Sequence, residues 1–127
     1  FSGTYGYYRA KGFNFSGSAG ILDETFSVTT SGTTPTAFYT LPSATYRSGE
    51  LTIQVTNGTA YRIAKMLFIH DGTNVTLSEN YGVGGEIQTG ATNTTFSASI
   101  SAGTLTLYAT ASSGTAVVKG KVSLIKV

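Results

Sequence analysis

Residues 50–57 read ELTIQVTN, and this stretch decides the fold class. Apolar residues occupy every second position, at Leu51, Ile53 and Val55, and polar residues fill the positions between them. Successive side chains of a β-strand point to opposite faces of the sheet. The alternation therefore predicts a strand with one face in a core and the other in water.

The same alternation recurs on both sides of this stretch. Seven further segments show it: ILDETFSVTT (21–30), PTAFYTLPS (35–43), YRIAKMLFIH (61–70), NVTLSENYGV (74–83), TTFSASIS (94–101), TLTLYAT (104–110) and AVVKGKVSLIKV (116–127). The segment at 61–70 carries apolar residues in both phases, so we expect it to be a long and nearly buried strand. Together these segments predict about eight strands.

Glycine-containing turn pairs separate the strands, for example Asn57-Gly58, Asp71-Gly72 and Ala102-Gly103. Short strands with such punctuation predict an all-β fold, an antiparallel two-sheet β-sandwich of jelly-roll-like type. We expect this sandwich to span residues 21–127. Residues 1–20, FSGTYGYYRAKGFNFSGSAG, are rich in glycine and aromatics, and they form either a first strand or an N-terminal arm.

Composition narrows the class of protein, and the absence of cysteine makes the chain indifferent to the redox state of its compartment. The 127 residues suit one domain. Only 11% are charged, against about a quarter in ordinary soluble domains, and polarity comes from threonine, serine, glycine and asparagine instead. This is typical of an all-β extracellular or virion protein. Because the sequence begins at Phe1 rather than methionine, we expect it to be a processed or excised piece.

Charge and hydropathy exclude two classes of partner. The eight basic residues are scattered and the formal net charge is only +2, so the sequence predicts no nucleic-acid binding. No stretch is long and apolar enough to span a membrane as a helix, so no membrane partner is predicted.

The chain's one histidine, His70, precedes Asp71-Gly72 between two apolar alternating runs. Asp-Gly in that position indicates a hairpin turn, either Asp71-Gly72 itself or a longer loop that continues to Asn74. His70 is then a polar residue at the rim or a hydrogen-bonding partner of Asp71. Neighbours on a strand point to opposite faces, so His70 and Asp71 do not form a catalytic dyad.

No metal or catalytic site is predicted elsewhere. There is no cysteine, and the six acidic residues are dispersed, so a calcium ion held between loops by Asp71, Glu79 or Glu86 is the one metal alternative that remains. Asp23 and Glu24 point to opposite sides of a strand and cannot act as a glycosidase pair. The sequence therefore predicts a protein that is not an enzyme and needs no cofactor.

Aromatic residues cluster near the start of the sequence. They pack within the fold, form an interface between subunits, or offer a platform for a glycan; we expect the subunit interface, and the residues are Tyr5, Tyr7, Tyr8, Phe13 and Phe15. A second candidate is the loop SENYGVGG (78–85), in which Asn80 and Tyr81 would contact a ligand.

The region from Glu50 to Val127 resembles a module common at the C-terminal ends of virion structural and tail-fibre-like proteins of tailed bacteriophages, especially cyanophages and other marine phages. The resemblance rests on an ordered set of elements. These are the strand pair ELTIQVTNGTAYRIAKMLFIHDGTNVTLSENYGV, then TTFSASISAGTLTLYATA, then the terminal AVVKGKVSLIKV.

The resemblance implies a non-enzymatic structural component exposed on the capsid or tail of a virion. It implies either a capsid decoration protein or a head or tail fibre module, which assembles as a homotrimer with the major capsid protein or a tail component as partner. The alternative is a receptor-binding fibre tip that recognises a glycan of the host cell surface.

Overall fold

A computed structural model describes residues 12–15, 20–79 and 86–127 of the chain, and of Phe13, Phe15 and Glu79 only the backbone. Its regular structure is ten β-strands: β1 (Gly12–Phe15), β2 (Ile21–Thr29), β3 (Thr36–Pro42), β4 (Tyr46–Asn57), β5 (Ala60–His70), β6 (Val75–Glu79), β7 (Glu86–Thr89), β8 (Thr94–Ser101), β9 (Thr104–Ala111) and β10 (Val117–Lys126). No helix in these residues could cross a membrane.

The strands form two antiparallel sheets. The large sheet has seven strands in the order β1-β2-β10-β4-β5-β6, with β7 also paired to β5. The small sheet has three strands in the order β3-β9-β8. Because β6 pairs with Met66–His70 and β7 with Tyr61–Ala64, these two short strands follow one another along the same side of β5.

The pairing is nested, since β2 pairs with β10 and β3 pairs with β9. Early strands thus pair with late ones, as in the outer turns of a jelly roll. The strands β4, β5 and β6 instead stay together as consecutive hairpins within the large sheet. The predicted all-β, two-sheet antiparallel sandwich is confirmed.

The core lies between the sheets and is built by alternation. In β4 the residues Leu51, Ile53 and Val55 are buried to 1% exposure or less, as their spacing predicts. Facing them from the small sheet are Leu105 and Leu107 of β9, which are fully buried. At about 1.5–3 kcal/mol for each large apolar side chain removed from water, this layer supplies the main driving force for folding.

Two features differ from the sequence-based expectation. The short strands β1 and β7 bring the described count to ten, because four residues are too few to show a readable alternation. The strand β5 is not nearly buried: its even-numbered residues are buried, while Ile63, Leu67 and Ile69 are exposed on the other face.

Candidate functional site

His70 lies in the interior at one end of β5, with 4% of its surface exposed. Its Nδ1 accepts a hydrogen bond from the Gly72 N–H at 3.0 Å, and its Nε2 lies 2.6 Å from the carbonyl oxygen of Tyr46. A neutral ring with the proton on Nε2 satisfies both contacts. The expectation that His70 is a rim residue is therefore wrong, because the phase of β5 turns it inward and leaves no ring nitrogen for catalysis.

The loop after His70 is the longer of the two predicted turns. The Asp71 carboxylate accepts hydrogen bonds from the backbone N–H groups of Thr73 and Asn74 at 2.9 and 2.7 Å, and the Asp71 N–H donates to the Asn74 carbonyl. These bonds stabilise the charged carboxylate and lower the pKa of Asp71 to about 2. Asp71 thus organises the turn, in the structural role that the sequence predicts for it.

Arg62 joins the two sheets at the opposite end of β5, through its bond to Thr94, and pairs with Glu86 within the large sheet. Arg62 is 6% exposed; its Nη2 lies 2.6 Å from Glu86 Oε2, and its Nη1 donates to the Thr94 carbonyl at 3.0 Å. The guanidinium also lies over the Phe96 ring, 5.5 Å from its centroid. The pair ties β7 and β8 to β5, so Glu86 serves the fold. The described residues hold no group of three or more residues suited to a metal.

A cleft of about 590 Å³ opens between β2 and β3, where the edges of the two sheets meet. Inside it the Tyr39 hydroxyl donates to Glu24 Oε1 at 2.8 Å. Burial and the Glu24 carboxylate raise the pKa of Tyr39, so the phenol stays protonated. Phe26 and Phe38 close the floor with ring centroids 4.9 Å apart. The cleft therefore presents a hydroxyl and a carboxylate beside aromatic rings.

Six large apolar side chains are exposed on the side of the large sheet that faces away from the core, which we call the outer face. Four lie on β5, one on β7 and one on β10: Tyr61, Ile63, Leu67, Ile69, Ile87 and Ile125. Their exposed fractions run from 44% for Leu67 to 68% for Ile87. Within the described residues, the other exposed large apolar side chain is Val127. Exposed apolar surface is thus concentrated on one face.

Strand pairing groups these side chains at two ends of the outer face. At one end Ile21, Ile125 and Ile69 share a row across the sheet and border a groove of about 590 Å³. At the other end Ile63 pairs directly with Ile87 beside a groove of about 340 Å³. Contiguous exposed apolar surface of this kind marks an interaction site rather than a solvated face.

The other predicted site residues fall largely outside the described part of the chain. Tyr5, Tyr7 and Tyr8 lie there, and so do Asn80 and Tyr81. The backbone positions 13 and 15 belong to β1, which pairs with Asp23 and Ile21 of β2. The aromatic interface, the ligand loop and the division of the chain at residue 20 stay predictions.

Sequence reasoning missed the outer face, although a signal was present. In YRIAKMLFIH both phases of the alternation carry apolar residues, and only Lys65 interrupts the outward one. This pattern predicts burial on both sides within one chain. The same pattern is also typical of a strand whose inner face is buried by the opposite sheet of the sandwich and whose outer face is free to contact another molecule.

The fold is similar to part of one solved structure, described as the crystal structure of tailspike protein gp49 from Acinetobacter baumannii bacteriophage Fri1, a capsular polysaccharide depolymerase. The TM-score is 0.53 at 18% sequence identity, over 93% of this chain and 20% of that one. This chain therefore spans about a fifth of the tailspike, and the likeness shows a shared fold alone. No protein-family model and no curated protein matches the sequence.

We expect His70→Ala to lower the free energy of unfolding by about 1–3 kcal/mol, because it leaves the buried Tyr46 carbonyl and the Gly72 N–H without their partner. Urea unfolding followed by circular dichroism measures this. Thr76→Ala, an exposed change on the neighbouring strand β6, serves as the control and should stay within about 0.5 kcal/mol of wild type. An equal, small effect of both changes would contradict the structural role of His70.

We expect Gly72→Ala to cost about 1–3 kcal/mol, because Gly72 has a φ of +102° that residues with a Cβ rarely adopt. No atom lies within 4 Å of the position of an added Cβ, so a steric clash cannot explain the loss. Thr73→Ala in the same loop is the matched control. Equal stability of Gly72→Ala and wild type would show that the loop relaxes to a negative φ.

We expect Asp71 to stabilise the fold above about pH 4 and to lose that effect as the pH falls toward 2. Its pKa is about 2 in the folded chain and about 3.9 when unfolded, so the folded state favours the charged form. The stability difference between wild type and Asp71→Asn should therefore be present at pH 6 and shrink toward pH 2. A difference that does not change with pH would contradict the charge-based role.

Proposed function

We propose that this chain is a non-enzymatic structural module of a tailed-bacteriophage virion, part of a tail fibre or tail spike. Its mechanism is assembly: the sandwich presents the outer face of the large sheet to a protein partner and the small sheet to water. The observation that carries this proposal is the concentration of six exposed large apolar side chains on that one face.

The fold comparison supports the tail over the head. A capsid decoration protein and a tail module are both implied by the sequence resemblance. The solved structure with a similar fold is named as a tailspike, and this chain covers a length typical of one domain within such a protein. We therefore favour a tail-associated module, with a homotrimer as the assembly that the resemblance implies.

The side-chain chemistry supports a structural role rather than a catalytic one. The His70 ring is committed to two backbone groups, and the Arg62 terminal nitrogens are committed to Thr94 and Glu86. Catalysis needs a titratable group in reach of a substrate, with a second group to orient it. The buried polar groups of the described residues hold strands together instead.

A second candidate function is recognition of a host glycan, and the cleft between β2 and β3 favours it. Tyr39 and Glu24 supply a hydroxyl and a carboxylate beside aromatic rings, which suits a sugar with both polar and apolar faces. Under this alternative, Tyr39→Phe should weaken glycan-array binding at least tenfold with little loss of stability. Thr110→Val on the small sheet is the control.

Electron microscopy of purified particles of the phage that encodes this chain tests the main proposal. An antibody fragment raised against the isolated domain should label the tail at a fixed position, and an unrelated fragment should not. Labels on the head would favour the decoration protein instead. Two results together would contradict a virion role: particles that carry no label, and mass spectrometry that detects the domain only outside the virions.

A further inference from the structure

The two outward-facing surfaces of the sandwich differ in chemistry. On the small sheet, the outward positions of β8 and β9 carry hydroxyl groups: Thr95, Ser97, Ser99, Ser101, Thr104, Thr106, Tyr108 and Thr110. None of these side chains is charged and none is a large aliphatic. Such a surface is well solvated at every position, so it needs no partner.

The outer face of the large sheet instead carries four of its charges in two neighbouring rows, and a fifth, Lys119, in the row after them. Asp23 and Glu50 lie in one row, each paired in register with Ser123. Lys121 and Lys65 lie in the next row. Thr52 lies between them and is paired in register with both, and Lys121 is also paired with Thr25. The rows are two residues apart along the strands, or about 7 Å.

Rows with large apolar side chains border these two charged rows on both sides. The row with Ile69 and Ile125 lies beyond the acidic row, and the row with Ile63 and Ile87, which also holds Lys119, lies beyond the basic row. Leu67 sits within the acidic row. Along the strand direction, the outer face therefore has an apolar row, an acidic row, a basic row, and a row that is apolar at β5 and β7 and basic at Lys119.

We propose that the outer face of the large sheet is the surface through which copies of this chain meet. The inference rests on the proposed structural role and names the partner of the apolar face. The occupant is a second copy of this chain, because the order of the rows is complementary to itself.

The complementarity is geometric. A second copy that faces the first and is offset by one row, or turned end for end, places its acidic row over the basic row. The Glu50 carboxylate of the second copy then lies over Thr52, between Lys121 and Lys65. In the turned arrangement, the two apolar ends also cover each other. A copy aligned in register would bring the lysines together and is disfavoured.

The charged side chains are available for this contact. Among the described residues, no salt bridge joins Glu50, Lys65 or Lys121 to another residue within one chain. A facing copy would supply opposite charges within the reach of these side chains. The apolar rows on either side would exclude water from the contact and strengthen it.

The size of the face sets the concentration at which association should be seen. Five strands about 4.8 Å apart and four rows about 7 Å apart give on the order of 500 Å² on each copy. That is at the low end for specific interfaces. We therefore expect a dissociation constant in the micromolar range, so masses should be measured at tens of micromolar and above.

The first experiment removes the apolar contacts. Sedimentation equilibrium of the 127-residue chain should give the mass of two copies, about twice the 13.2 kDa of one copy, because a face covered by the same face of a second copy closes with two copies. Leu67→Thr combined with Ile69→Thr should weaken association at least tenfold, because both side chains are exposed on the outer face. Threonine is β-branched and therefore suits a strand. Tyr108→Thr, an outward change on the small sheet, is the matched control and should leave the mass unchanged.

The second experiment reverses charges. Glu50→Lys alone and Lys121→Glu alone should each weaken association at least tenfold and make the remainder less sensitive to added salt. The double change Glu50→Lys with Lys121→Glu should recover most of the loss, because the two rows exchange sign at those positions. Thermal unfolding followed by circular dichroism identifies any variant that fails to fold. If a single variant fails to fold, the recovery of association in the double variant is the decisive measurement.

The outcomes separate this inference from the proposed function. A two-copy mass with the same variant pattern supports the outer face as the contact and favours the turned arrangement. A chain that stays monomeric at 100 μM, or outer-face variants that leave the mass unchanged, overturns the inference. Labelling of the phage tail would still support the proposed function in that case, and the outer face would then contact a different virion protein.

Discussion

The alternation along β5 is the constraint on which the rest of the molecule depends. Its inward positions hold Ala64, Met66 and Phe68 against the core, and each end of the strand carries a buried polar residue. A slip of one residue would turn Lys65 into the core and expose Met66 and Phe68, at a cost of several kcal/mol. The register of β5 is thereby fixed, and with it the identity of every residue on the outer face.

The two buried polar residues of β5 work as clamps at opposite ends of the sandwich. Arg62 reaches across to the Thr94 carbonyl of the small sheet, and His70 holds the loop at Gly72 to the backbone of Tyr46. A buried polar group is costly unless it is bonded, so each clamp is stable only when the strands around it are in place. Packing in the middle of β5 and hydrogen bonds at its ends therefore support the same register.

Local alternation was enough to predict most of the architecture. Leu51, Ile53 and Val55 identify both a strand and its buried face, and each of the eight segments with such a pattern contains a strand among the described residues. The phase of Met66 and Phe68 also continues to His70, so its burial was readable from spacing. The polar character of the His70 side chain and its position next to a turn instead favour a place at the rim.

The remaining features depend on contacts between distant parts of the chain. The four residues of β7 form a strand because Ile87 meets Ile63, which lies 24 positions earlier. Likewise, the salt bridge of Arg62 with Glu86 needs that pairing before its two partners can meet. No window of neighbouring residues contains this information, because it arises from the order of the strands in the sheet.

A strand with apolar residues in both phases is stable in water only if both faces are covered. Within one chain, β5 is covered on its inner face, and its outer face keeps Ile63, Leu67 and Ile69 exposed. The low charge content follows the same logic: charged side chains protect exposed parts of a sheet from association, and the outer face carries few of them, mostly in its two middle rows, with Lys119 in the row of Ile63. Because the charges lie in rows of opposite sign, two copies aligned in register place like charges opposite each other and repel. An offset or turned copy places the acidic row over the basic row and is attracted. The outer face thus carries apolar side chains that one chain alone leaves exposed. Its charges also distinguish between alignments of two copies, as an assembly interface requires.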